Sequence, residues 1–269
     1  MKIKKTLALT LAAVAACATM GMTACSESKD KLIVYTEAGF APWEFTQTGS
    51  TKVIGVDMEI AKYIADKYNW ELQVVNGSFD AIVAGIAEDN ALGIAGISYS
   101  ASRAEAVEFS NFYWEDAYQA VVYKADSNPT LTEDQTFAVS NFEGAKLVYQ
   151  TGTTSQLTVA DNATTWNYAS TADFPQVMAA LQDMKDASSK EYLIVDSQVA
   201  AQLVAEDSTL KYAQIEGMEA EKYGVVAKKG NTELVAKVNA ALAELLADDA
   251  NGKNQIEKWF EQYSAMDAE

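Results

Sequence analysis

The sequence predicts an α/β protein made of two lobes, and two observations carry that expectation. Short β-branched runs alternate with helical patterns from residue 31 onward. The alternation restarts after a turn-rich stretch, "KADSNPT" at 124–130, as expected where one lobe gives way to another.

In the first set "KLIVY" (31–35) reads as a buried strand, "VDMEIAKYIADKY" (56–68) as a helix with Ile60 and Ile64 on one face, and "ELQVV" (71–75) as a strand. "FDAIVAGIAE" (79–88) follows as helix and "ALGIAG" (91–96) as strand. This β-α-β-α-β order is expected to form a largely parallel sheet with helices on both faces. The second set holds strand "KLVYQ" (146–150), a turn "TGTTS" (151–155) opening a helix, helix "DFPQVMAALQDM" (173–184), strand "YLIVD" (192–196) and helix "SQVAAQLVAE" (197–206). A strand "YGVVAKK" (223–229) and two helices, "NTELVAKVNAALAELLAD" and "NQIEKWFEQY", close the chain.

The chain begins "MKIKKTLALTLAAVAACATMGMTAC", three lysines, an apolar stretch and small residues ending at Cys25, which is the layout of a secretory leader and is short for a membrane span. Met22-Thr23-Ala24-Cys25 is similar to a bacterial lipobox, so Cys25 is the expected lipidation site, with residues 1–24 as signal peptide and 25–30 as tether. An ordinary cleavage site with an incidental thiol is the alternative. Cys17 lies inside the leader, so no disulfide is expected. The location predicted is extracytoplasmic, at a bacterial cell membrane and held there by the lipid anchor alone.

The formal charge is −18; removing residues 1–24 deletes three lysines and no acid, giving −18 − 3 = −21. Nucleic acid is therefore excluded as a partner on electrostatic grounds. There are no histidines, and neither cysteine lies beyond residue 25, which removes histidine bases, thiol nucleophiles and the usual zinc sites. No metal and no cofactor are expected.

Ligands of open α/β sheets bind beyond the carboxyl ends of the strands. Glu37–Phe40, Gly96–Arg103, Thr151–Ser155 and Asp196 all occupy such places in the pattern. One cation, Arg103, stands among serines in "GISYSASRAEAVEFS" (96–110).

In order along the chain, "GFAPWEF", "VIGVDMEIAKYIA", "FDAIVAGI", "AGISYSASRAEAVEFSNFY", "GTTSQ", "VDSQVA" and "YGVVAKKGNTELVAKVNAAL" resemble the polar amino acid-binding proteins of bacterial ABC importers. These are periplasmic binding proteins of type II topology, and the likeness spans residues 31–263. The resemblance implies two lobes, 31–114 with 222–269 and 115–221, joined by two crossover strands with a ligand cleft between them. It implies a monomer that captures an amino acid and delivers it to an ABC permease, without catalysis. A cyclohexadienyl-dehydratase-like enzyme or a surface sensor on the same fold is the alternative.

The resemblance also assigns roles. Arg103 pairs with the ligand's α-carboxylate, for which a planar guanidinium is suited; Ser98 adds its hydroxyl, and the Gly96 carbonyl accepts from the α-ammonium. Thr153 and Thr154 complete the carboxylate clamp at a helix start. Asp196 takes the α-ammonium, with helix capping as its other reading. Phe40 and Phe79 line the ligand side chain, though core packing suits either, and Glu37 and Gln150 face that side chain. Relatives often carry aspartate where Glu37 stands, and the run before the third strand lacks the aspartate relatives usually place there. Capping or a surface ion pair with Glu105 is the plainer reading of Arg103 and its serines.

Overall fold

A computed structural model describes residues 30–266; the leader, Cys25 and most of the tether expected at 25–30 lie outside the described residues. Two five-stranded sheets form the body of the chain. The first uses β1 (Lys31–Thr36), β2 (Glu71–Asn76), β3 (Ala91–Gly93), β4 (Val107–Ala117) and β10 (Glu221–Lys228) in the order β2-β1-β3-β10-β4. The second uses β5 (Gln119–Lys124), β6 (Lys146–Gln150), β7 (Ser170–Phe174), β8 (Glu191–Asp196) and β9 (Leu210–Gln214) in the order β7-β6-β8-β5-β9. β10 runs antiparallel to both its neighbours, and so does β5, while the other pairs are parallel. Each sheet is thus parallel apart from one reversed strand.

Helices cover both faces of each sheet because the strands are apolar on both faces. All six residues of β8 are buried, and of its two acids Glu191, at the start, is answered by Lys146 at 3.0 Å. On one face of the first sheet α1 (Val56–Lys67), α7 (Thr232–Leu245) and α8 (Gln255–Ser264) enclose a core around Trp43. The Trp43 ring meets Tyr223 edge-on at 5.2 Å and Trp114 at 5.0 Å. A Cβ on Gly55 would lie 2.1 Å from the Trp43 carbonyl, so only glycine lets α1 start there. α2 (Phe79–Ala84) and α3 (Ala101–Ala106) lie toward the smaller core on the opposite face. In the second sheet α5 (Val177–Asp186) and α6 (Ser197–Glu206) cover one face, and α4 (Thr154–Asp161) lies over the other.

Several expected boundaries move, for local reasons. Asp173 and Phe174 end β7 instead of opening a helix, since Pro175 pushes the residue before it into extended backbone. The helix expected over 79–88 stops at Ala84, where Gly85 takes φ 147°. The strand expected over 91–96 ends at Gly93, and Gly96 turns the chain with φ 51°. The sequence pattern does not mark β4, β5, β7 and β9 as strands, although the resemblance implies a crossover strand where β4 ends: β4 is interrupted by Glu108, Glu115 and Asp116 and hides its period behind register shifts against β10.

Candidate functional site

The loops after β1, β3, β6 and β8 converge, and the ten residues singled out by sequence line one cavity between the two sheets: Glu37, Phe40, Phe79, Gly96, Ser98, Arg103, Gln150, Thr153, Thr154 and Asp196. Glu44, Gln119, Ser155 and Val177 also line it.

Arg103 reaches the cavity because α3 starts just before it, with the Ser100 hydroxyl accepting the Arg103 N–H at 3.2 Å. Its Nη1 donates to the Ser98 carbonyl at 2.7 Å, and its Nη2 crosses the cleft to the Gly152 carbonyl at 2.8 Å. The guanidinium lies 5.4 Å from the centre of the Phe79 ring. Among the described residues it forms no ion pair, Glu105 included. Burial pulls its pKa down to about 10, with the charge of Glu221 opposing, so at neutral pH it is a buried cation lacking an anion in contact. That arrangement is costly unless an anion joins it.

The anion side is completed by the start of α4. Thr153 occupies the cap position without capping; its Oγ1 donates instead to the Gln150 carbonyl at 2.7 Å. The first-turn N–H groups of a helix have no intrahelical acceptor and carry the positive end of the dipole. The hydroxyls of Ser98 and Thr154 are engaged by Glu221: the first donates to Oε2, and the second reaches the same oxygen at 2.9 Å. Gln119 Nε2 donates to Glu221 Oε1 at 2.8 Å, and Ser155 Oγ donates to Gln119 Oε1 at 2.7 Å.

The opposite end is acidic. Asp196 caps α6, its Oδ1 accepting the Gln198 N–H at 3.0 Å, while its Oδ2 accepts from the Tyr223 hydroxyl. The capping reading therefore holds, and the residue lines the cavity as well. Burial, with a smaller push from Glu221, raises its pKa to about 7 against those hydrogen bonds. Glu37 is 3% exposed and accepts from Gln150 Nε2 at 3.1 Å across the cleft; burial raises its pKa while that bond opposes.

Glu44 is fully buried, and among the described residues none donates a hydrogen bond to either of its oxygens. Asp57 lies beside it, with Oδ2 accepting from the Gly96 N–H at 2.7 Å and the Tyr113 hydroxyl at 3.0 Å. Burial and the Asp57 charge hold the Glu44 carboxyl well above the usual carboxylate range, and burial raises Asp57 to about 6. A protonated Glu44 donating to the otherwise unpaired Asp57 Oδ1 pairs one oxygen of each acid. The pair fixes the turn at Gly96, where a Cβ would lie 2.8 Å from Phe40 Cε1.

Sequence reasoning placed Ser155 at a strand end without giving it a role, and missed Glu44, Gln119, Tyr223 and Glu221. Only Glu44 carried a signal, an acid inside the apolar run "APWEF"; the others depend on the two sheets meeting.

Two α/β bodies around a polar cleft at the ends of their strands define a protein that binds a small solute. The model of the bacterial extracellular solute-binding proteins, family 3, matches residues 32–262, and the chain belongs to that family. It is 26% identical over 256 residues, 92% of this chain and 95% of the relative, to the arginine-binding extracellular protein ArtP of Bacillus subtilis. The structure of the substrate-binding protein AbpA of Streptococcus pneumoniae, bound to L-arginine, superposes with a TM-score of 0.75 at 25% identity, covering 89% of this chain and 96% of that one. An ancestral arginine-binding protein bound to glutamine matches with a TM-score of 0.73 at 28% identity, over 87% and 98% of the two chains. The type II binding-protein fold expected from the sequence is the fold observed.

Proposed function

We propose that this chain captures an amino acid with a cationic side chain outside the cytoplasm and delivers it to an ABC permease. The observation that carries the reading is charge balance in the cavity. With Glu44 protonated, Glu37 and Asp196 face the single cation Arg103. Glu221, bonded to the cavity residues Ser98 and Thr154, adds a further carboxylate, so a zwitterion leaves the site net negative and an amino acid of net charge +1 offsets more of that charge.

In this pose the α-carboxylate lies against Arg103 and the N–H groups at Thr153 and Thr154. The α-ammonium meets Asp196 and the Gly96 carbonyl, and the side chain runs between Phe40 and Phe79 toward Glu37 and Gln150. An apolar sleeve with charge at its far end suits an arginine or lysine side chain. The relatives' arginine ligands support the same chemistry.

Residues 31–114 with 222–269 form one lobe and 115–221 the other, and they close about the two linking segments. The protein acts as a monomer and holds its ligand without converting it. It is tethered through an acylated Cys25; fatty-acid labelling that persists in Cys25→Ser would remove the anchor from this account.

The experiment is calorimetric titration of protein refolded from denaturant with L-arginine, L-lysine, L-glutamine and L-citrulline. Citrulline keeps the shape of arginine and loses its charge. Arginine or lysine binding on the order of tenfold or more above citrulline is the expected result; equal affinities would remove the cationic reading. Mass analysis of arginine recovered after incubation checks that it is unchanged.

A further inference from the structure

Glu221 begins β10, where the chain returns from the second sheet to the first. Its carboxylate gathers donors from both sides of the cleft: Ser98 from the loop after β3, and Thr154 and Gln119 from the second sheet's side. Ser98 and Thr154 are also cavity residues, and each hydroxyl has one proton to give. While those protons point at Glu221, the hydroxyls turn lone pairs to any carboxylate beside Arg103. The Glu221 charge itself acts on both Arg103 and Asp196, which places it within electrostatic reach of each end of the site.

We propose that Glu221 is a specificity-determining residue that competes with the ligand's α-carboxylate: it holds the Ser98 and Thr154 hydroxyls and repels a second carboxylate brought to Arg103. The inference rests on the amino-acid-capture reading and assigns its carboxylate end a built-in opponent. Arg103 and the α4 N-terminus must outweigh that opponent, so affinity is held below what the same donors could reach. Replacing the carboxylate by an amide lifts the like-charge repulsion and leaves a single, weaker acceptor oxygen for Gln119 and the two hydroxyls to share, which loosens the hold on Ser98 and Thr154.

The test compares L-arginine with L-argininamide, which lacks the carboxylate charge, on wild-type protein, Glu221→Gln and Glu221→Asp. Glu221→Gln should favour arginine over its amide by about tenfold more than wild type does, chiefly through tighter arginine binding. Glu221→Asp keeps the charge and should leave the preference near the wild-type value even if both affinities fall. An unchanged preference in Glu221→Gln, or an equal weakening of both ligands, overturns the proposal and leaves Glu221 a structural bridge. So does a Glu221→Asp preference that moves as far as that of Glu221→Gln, because shape and not charge would then be responsible. Wild-type protein that binds no amino acid overturns the capture reading itself, a result distinct from all of these.

Discussion

Gly152 presses so closely on Asp80 across the cleft that a Cβ on Gly152 would lie 2.7 Å from the Asp80 Cβ and 2.8 Å from its Cα. The neighbour is backbone at the start of α2, which cannot swing aside. The contact lies beside the cross-cleft bond in which the Gly152 carbonyl accepts from Arg103.

Gly152→Ala should therefore oppose closure more than folding. The φ of 78° costs an alanine about 1 kcal/mol in any state of the cleft. The overlap adds about 1–3 kcal/mol only when the cleft shuts. Arginine affinity should fall roughly tenfold to a hundredfold. Small-angle scattering should show wild type contracting on arginine addition and the variant contracting less; equal contraction would mean that the loop yields.

Arg103→Ala should abolish detectable amino-acid binding while the far-ultraviolet dichroism stays native. Truncating one partner of a desolvated charge pair costs roughly 3–5 kcal/mol. Arg103→Lys should recover little of the loss, because an ammonium cannot span the Ser98 and Gly152 carbonyls while also presenting a flat edge to a carboxylate. Normal binding by either variant would displace Arg103 from the site.

The parts of the site that were legible in the sequence are those set by local order along the chain. Strand, turn and helix-start patterns place Glu37, Arg103, Thr153 and Asp196 at strand ends, and strand ends meet at a cleft in any fold of this class. Glu221 had no such mark, since its role comes from β10 lying against β4 beside the second sheet. The strand β4 was hidden for a related reason: its burial follows a bulged pairing and not an alternation. Asp57 reads as an ordinary acid in a helix's first turn, and only the fold shows that it is fully buried and bound to Gly96 and Tyr113.

Glu37→Gln should narrow the gap between arginine and citrulline without harming the fold. The carboxylate is buried and, among the described residues, engaged only by Gln150 Nε2, so a neutral amide relieves a desolvation cost as it removes an attraction for a cation. Arginine affinity should drop on the order of tenfold or more, citrulline affinity should change little, and melting temperature should hold or rise. A parallel loss for both ligands would place Glu37 in packing and not in selection.

Stability and affinity should depend on pH with opposite signs. Burial raises Asp196 to about 7 and Asp57 to about 6 from an ordinary 3.8. Between about pH 4 and 7 the folded protein therefore keeps protons that the unfolded chain has released. Stability of protein stripped of amino acid should fall as pH rises through that window, reaching its low value once both acids are ionised. Binding runs the other way, because the α-ammonium stabilises ionised Asp196. Arginine affinity should rise between pH 5.5 and 8, and binding near pH 6 should release a proton. Titrations in buffers of different ionisation enthalpy measure that proton directly. Asp196→Asn should remove most of the pH dependence of binding together with most of the affinity. An affinity flat across this range, or proton uptake on binding, would show that Asp196 does not face the ammonium.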